Sequence, residues 1–384
     1  MRTRFPLLLL ALLAGGCAWF RPKPPAFNLH GRQRVAILPF ANATADPAAA
    51  GALQDALADG LAGLKACPVA RPGESTGGAD LLLRGTVARM IERCEVYITD
   101  WADAKMVPLD AGRFDLDDYI DYVVSYLEHI GHTNNGERAH MLAVCQPSVP
   151  ALAATALMNG QKHPCRPLSL TMMGGPVDTR EAPTSVNDMA MQRPIEWFRN
   201  TVIATVPLQY PGAGRRVYPG FLQLAGFMSM NLGNHMLSHY HMFKHLVAGA
   251  DEDADATKAF YDEYRSVCDM DADYYLQTVE QVFQRQSLAK GEFMHRGTRI
   301  DLGAIHDTAL LAVEGERDDI SGIGQTKAAL KLATGLAESR KRYLLAPEVG
   351  HYGIFNGSKW RDHIAPVLED WIKRHDKTRL KAAA

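Results

Sequence analysis

The sequence predicts an α/β fold, a mostly parallel sheet with a helical cap inserted over one end. Three observations lead there. Short apolar runs alternate with helix-patterned segments along most of the 384 residues. A stretch rich in Met, Tyr and His, from about Val186 to Arg299, is mostly helical in pattern and separates the early strands from the last two. Cys145, Asp318 and His351 each follow the carboxyl end of a strand, where open α/β sheets build their sites.

The bulk numbers exclude several functions. Lys+Arg 41 against Asp+Glu 43 gives a net charge of -2, which provides no electrostatic case for binding nucleic acid. The cysteines at 17, 67, 94, 145, 165 and 268 form no CxxC pair, so neither a disulfide scaffold nor a zinc site is expected.

The N-terminus reads as a bacterial lipoprotein signal over residues 1–17. Arg2 and Arg4 precede the apolar run Phe5 to Leu13, and Ala14-Gly15-Gly16 leads to Cys17. Cys17 would be the lipidated first residue of the mature chain, anchoring it to the bacterial envelope. Ala14 stands where such signals usually carry Leu, and an uncleaved apolar helix is the alternative. The run is too short to span a bilayer permanently. Residues 18–33, with Pro22, Pro24 and Pro25, read as a linker.

Val35 to Phe40 is a buried-strand pattern, followed by an Ala/Leu-rich helical stretch from Pro47 to Leu64. Residues 34–78 resemble the small α/β segment of envelope lipoproteins. Pro72 to Gly78 is a turn-rich junction, and residues 79–384 form the main domain with its cap at about 186–300. Leu82 to Met90 reads as a helix and Glu95 to Thr99 as a strand. Asp115 is placed to cap an amphipathic helix running to Ile130. Strands follow at His140–Val144 and Leu168–Met172, then, beyond the cap, at Ala309–Val313 and Arg342–Ala346.

The run His140–Val144 stops at Cys145, and a helical segment, Val149 to Met158, follows. That is the strand–turn–helix setting in which α/β-hydrolases hold their nucleophile, although Ala143 and Pro147 replace the usual flanking glycines. Beyond Val313 the turn Glu314 to Asp319 carries acids, and Gly350-His351-Tyr352-Gly353 sets a histidine on a loop between glycines. The order nucleophile, acid, histidine is the one this fold uses. His351 would take the thiol proton and later activate water, while a carboxylate fixes its tautomer. Asp318 is preferred over Asp319 because it comes first past the strand. The backbone N–H of Gln146 would serve as one oxyanion donor.

From about Leu82 to Asp376 the sequence resembles the intracellular polyhydroxybutyrate (polyhydroxyalkanoate) depolymerases. The resemblance rests on Val96 to Trp101, Asp103 to Leu109, Phe114 to Tyr119, Val144-Cys145-Gln146-Pro147 and Met173 to Asp178. It continues through Trp197, Tyr218 to Phe221, Glu314 to Ile320 and Gly350 to Gly353. It implies a nucleophile at Cys145, an acid at Asp318 and a histidine at His351. It also implies hydrolysis of ester bonds in amorphous storage polyester, giving 3-hydroxybutyrate oligomers or monomer, with no metal or organic cofactor. The granule would be the partner, in the cytoplasm, whereas residues 1–17 imply export.

One region departs from that pattern. Family members carry N-terminal strands and a Ser-Gly-His-Tyr loop where an oxyanion donor is expected, and here the lipoprotein-like segment stands in their place. Losing one such donor costs roughly 10²–10³ in turnover. Val35 to Phe40 is a candidate for the missing strand. A natural fusion, a mis-assembled reading frame and an artificial recombination all fit this junction. Two other functions compete: a polyhydroxyalkanoate synthase-like acyltransferase, disfavoured by the absence of Gly-x-Cys-x-Gly, and a non-catalytic envelope lipoprotein.

Other motifs read as structural. His235, His239, His241 and His245 form two i, i+4 pairs on different faces with no HExxH glutamate, so they are ordinary cap residues. Asp251 to Asp255 is a solvated acidic run, and Pro211 to Gly214 a turn. Trp197, Tyr274, Tyr275 and the Met-rich stretch 226–242 suit either a polyester groove or cap core.

Overall fold

In a computed structural model of the chain, the residues described are 33–38, 94–99, 101–230, 232–248 and 267–376. The expected signal with Cys17, the expected linker up to residue 32, the helices expected at 47–64 and 82–90, the junction at 72–78 and the acidic run 251–255 lie outside them, while Gln33, expected to end the linker, opens the first strand.

Six parallel strands form the central sheet in the order β11-β10-β4-β3-β1-β2. They are β1 (Gln33–Leu38), β2 (Cys94–Ile98), β3 (His140–Val144), β4 (Ser169–Met173), β10 (Ala309–Gly315) and β11 (Lys341–Ala346). Every residue of β3, β4 and β10 is buried. That is the continuous apolar run expected of parallel strands covered on both faces. β1 lies between β2 and β3, pairing Leu38 with Ala143. The chain therefore leaves β1 level with the end of β3.

Helix α1 (Leu116–Thr133) begins where the sequence predicts. Asp115 Oδ1 accepts from the Asp118 N–H at 3.0 Å, and Asp118 Oδ2 accepts from the Asp115 N–H at 2.8 Å. This reciprocal box satisfies two N–H groups that the first helical turn cannot. Leu116, Tyr119, Ile120, Val123, Leu127 and Ile130 form its buried stripe at helical spacing. Tyr119 stacks between Trp101 (4.5 Å between centroids) and Tyr274 (5.4 Å), joining α1 to the insertion. Helix α2 (Ser148–Gly160) is apolar nearly all round, as its buried place against α1 requires.

The insertion between β4 and β10 corrects one expectation. Its helices include Ser185–Gln192, Ile195–Thr201, Gly220–Met230, Leu232–Ala248 and Ala272–Thr278. It also holds an antiparallel sheet of β5 (Ala204–Thr205), β6 (Arg216–Tyr218) and β7 (Met270–Asp271), and a hairpin of β8 (Met294–His295) and β9 (Thr298–Arg299). Pairings of two or three residues are too short to leave an alternating pattern. Buried Arg215 anchors this sheet. It pairs with Asp271 at 2.9 Å and donates to the carbonyls of Val107 (2.9 Å), Pro108 (2.6 Å) and Gly112 (2.8 Å). Tyr274 and Tyr275 are wholly buried, so they are cap core.

Candidate active site

The turn after β3 is held by backbone bonds. The Cys145 N–H donates to Met173 O at 2.7 Å, the Ser148 N–H to Cys145 O at 3.0 Å and the Val149 N–H to Gln146 O at 3.2 Å. Cys145 itself adopts a left-handed conformation, φ 63°. For a residue with a Cβ this costs roughly 1–3 kcal/mol, and such strain concentrates at functional sites. The strand must reverse into α2 within three residues, which is why the turn is this sharp.

Asp318 follows β10, whose end needs a second correction. The strand continues through Gly315, so Glu314 is a fully buried strand residue rather than a turn acid. Asp318 Oδ1 accepts the N–H groups of Ile320 and Ser321, both at 2.9 Å. Its Oδ2 lies 2.8 Å from His351 Nδ1. His351 does not sit on an open loop: it starts the 3-10 turn His351–Ile354 after β11, buried against the Phe355 ring.

The structure thus brings Cys145, Asp318 and His351 into one buried cluster. Burial pushes the His351 pKa down, yet the charges of Asp318 and Cys145 and the hydrogen bond to Asp318 raise it well above the ordinary value. The other ring nitrogen, Nε2, is buried and has no formed hydrogen bond. The sulfur therefore acts on the ring through its charge and nearness more than through an aligned bond. A thiol–imidazole bond commonly tightens only when substrate is bound.

Gly174 and Gly175 separate the two halves of the cluster. Gly174 has φ 60°, and a Cβ there would lie 2.7 Å from Ile354, 3.0 Å from His351 and 3.3 Å from Asp318. A Cβ on Gly175 would overlap the Ser148 side chain and reach 3.0 Å from Cys145 O. Only glycine allows so close an approach.

Gln146, expected to contribute its backbone N–H, lies in the turn between Cys145 and α2, where a helix N-terminus favours negative charge. Its side chain is fully buried with neither polar atom hydrogen-bonded. Among the described residues no group of His, Cys, Asp or Glu could hold a metal ion, and no helix is long and apolar enough to cross a membrane. The roles of Glu314 and Thr326 were not legible in the sequence; an acid closing an apolar strand run was the available signal for the first.

The parallel sheet, the inserted cap and the strand-end cluster define an α/β-hydrolase, in the class of carboxylic ester hydrolases. A family model described as PHB de-polymerase C-terminus matches residues 174–376, and the chain belongs to this PHB depolymerase family. No curated protein matches by sequence. Among solved structures, the chain is similar to a monoacylglycerol lipase of Paleococcus ferrophilus at 12% identity and a TM-score of 0.44, covering 90% of this chain and 96% of that one. It is also similar to a putative non-heme bromoperoxidase of Mycobacterium tuberculosis H37Rv at 10% identity and a TM-score of 0.42, covering 78% and 89%. A carboxylesterase study of Nitrososphaera gargenis supplies a third, at 10% identity and a TM-score of 0.44, covering 90% and 92%.

Proposed function

We propose that the chain hydrolyses ester bonds of amorphous polyhydroxybutyrate through a covalent intermediate on Cys145. The observation that carries the reading is the His351 ring, fixed by Asp318 at 2.8 Å on Nδ1 and close enough to Cys145 for the sulfur to raise its pKa. Family membership supports the polyester as substrate.

The chemistry follows from those roles. The Cys145 thiolate attacks the ester carbonyl carbon, and the carbonyl electron pair moves onto oxygen. The Gln146 N–H donates to that oxyanion. As the tetrahedral species collapses, the C–O bond breaks and the leaving alkoxide takes a proton from His351, releasing the hydroxyl end of the polymer. Neutral His351 then takes a proton from water, whose oxygen attacks the thioester. The carboxylic acid leaves and the thiolate–imidazolium pair is restored. Asp318 holds one tautomer and stabilises the imidazolium throughout.

A second oxyanion donor is expected from the strand beside β3. β1 occupies that sheet position, and its pairing of Leu38 with Ala143 supports its standing in for the family's missing strand. Lipidation at Cys17 and envelope anchoring belong to the same proposal, whereas a separate unit at 34–78 does not, because β1 is a strand of the central sheet. Mass spectrometry of the mature N-terminus tests them, and an intact Met1 contradicts lipidation.

The functional test is release of 3-hydroxybutyrate from amorphous granules by the wild type beside Cys145→Ala. Product from the wild type alone supports the reading, and equal product from both overturns it. Supplying 3-hydroxybutyryl-CoA separates hydrolysis from acyl transfer, since only a synthase-like enzyme would make polymer from it.

A further inference from the structure

Glu314 is a carboxylate with no exposed surface in the middle of a sheet, and it lies outside the chemistry described above. A buried carboxylate carries a desolvation cost that an apolar strand residue would avoid. Here it is met by four donors. Oε1 accepts the N–H groups of Thr326 (2.7 Å) and Lys327 (2.8 Å), and Oε2 accepts the Gly324 N–H (2.8 Å) and the Tyr343 hydroxyl (2.7 Å). Three of the four belong to the segment ahead of the helix Ala328–Leu332. The acid fixes that segment to the sheet.

The segment carries Thr326, also fully buried. Its hydroxyl donates to Gly175 O at 2.9 Å and accepts from the Gly175 N–H at 2.8 Å, so one side chain clamps both polar groups of that peptide position. The Gly175 backbone lies so close to Ser148 and Cys145 O that no Cβ fits there, and a Cβ on its neighbour Gly174 would crowd His351 and Asp318. Wherever Thr326 holds this pair of glycines, the spacing between the Cys145 turn and the His351–Asp318 pair is set with it. β10 also delivers Asp318 four residues after Glu314, so one strand supports both halves.

We propose that Glu314 and Thr326 are positioning residues, a strut that sets the distance from Cys145 to His351 through Gly174–Gly175. The inference rests on the reading of Cys145 as nucleophile. Attack geometry is steep in distance: a misplacement of about 1 Å can cost roughly 10²-fold in rate.

Thr326→Val keeps the shape and removes both hydrogen bonds, and Thr326→Ser restores them. With a p-nitrophenyl ester of a short acid as probe, Thr326→Val should lose roughly ten- to a hundredfold in kcat with KM little changed. Thr326→Ser should recover most of kcat, and Glu314→Gln should fall in kcat in the same way. Thermal unfolding of each variant, with kcat scaled to folded protein, keeps a folding defect from passing as a positioning effect. Full kcat in folded Thr326→Val, or a loss confined to KM, overturns the inference. So does a loss that Thr326→Ser fails to recover. Cys145→Ala run alongside separates the two ideas: turnover retained there refutes the nucleophile, whereas turnover lost there but kept in Thr326→Val refutes the strut alone.

Discussion

His351 Nδ1 lies 2.8 Å from Asp318 Oδ2, and both side chains are buried, although the two residues are 33 apart in sequence. Burial alone would drive an imidazolium in such a place to lose its proton; here the charges of Asp318 and Cys145 oppose that and raise the His351 pKa well above its ordinary value. The pair therefore couples protonation to stability as well as to chemistry.

The pH dependence of that coupling has a definite sign. A folded-state His351 pKa above the unfolded value, about 6.5, gives a stabilisation fully present below about pH 6.5. It is lost as pH rises through the folded value. Asp318→Asn removes the largest raising influence, so that burial weighs more heavily against the charged ring. The Tm difference between wild type and Asp318→Asn should be largest at acid pH and shrink as pH rises. A difference that grows with pH would contradict the assignment.

Gly175→Ala should be severe for its size. The added methyl overlaps Ser148, and overpacking of a filled core costs typically about 1–3 kcal/mol. Because relief requires moving the Cys145 turn, esterase activity per folded molecule should fall further than denaturant midpoints alone suggest. Normal activity in a variant with a lowered midpoint would place Gly175 outside the working geometry.

Arg215→Met tests what anchors the cap. It leaves Asp271 buried without its cation and frees the carbonyls of Val107, Pro108 and Gly112. Breaking one partner of a buried pair costs about 3–5 kcal/mol. Chemical denaturation should show that loss, and the double variant Arg215→Met/Asp271→Leu should recover part of it.

Much of the frame was legible because its signals are local. The apolar run His140–Val144 stopping at Cys145, the acid-rich turn reaching Asp318 and the glycine-flanked His351 each lie within a few residues of a strand end. The Asp115 cap was legible for the same reason. Glu314 was read as a turn residue, because an acid after five apolar residues looks like the end of a strand. Its four donors come from residues 324–343, which no local pattern connects to it. The Arg215–Asp271 pair spans 56 residues, and β5, β6 and β7 are too short to show a period. The crowding that excludes a Cβ at Gly175 beside Ser148 exists only once β3 and β4 are neighbours.

The central claim is a covalent acyl group on Cys145, and trapping it is the most direct test. Brief reaction with an oligomer of 3-hydroxybutyrate, acid quench and peptide mass spectrometry should find a 3-hydroxybutyryl mass on the peptide containing Cys145. The adduct should accumulate in His351→Gln, where water is no longer activated against the thioester. Cys145→Ala should carry none. Acylation of Ser148 in the wild type, or undiminished turnover by Cys145→Ala, would contradict the account.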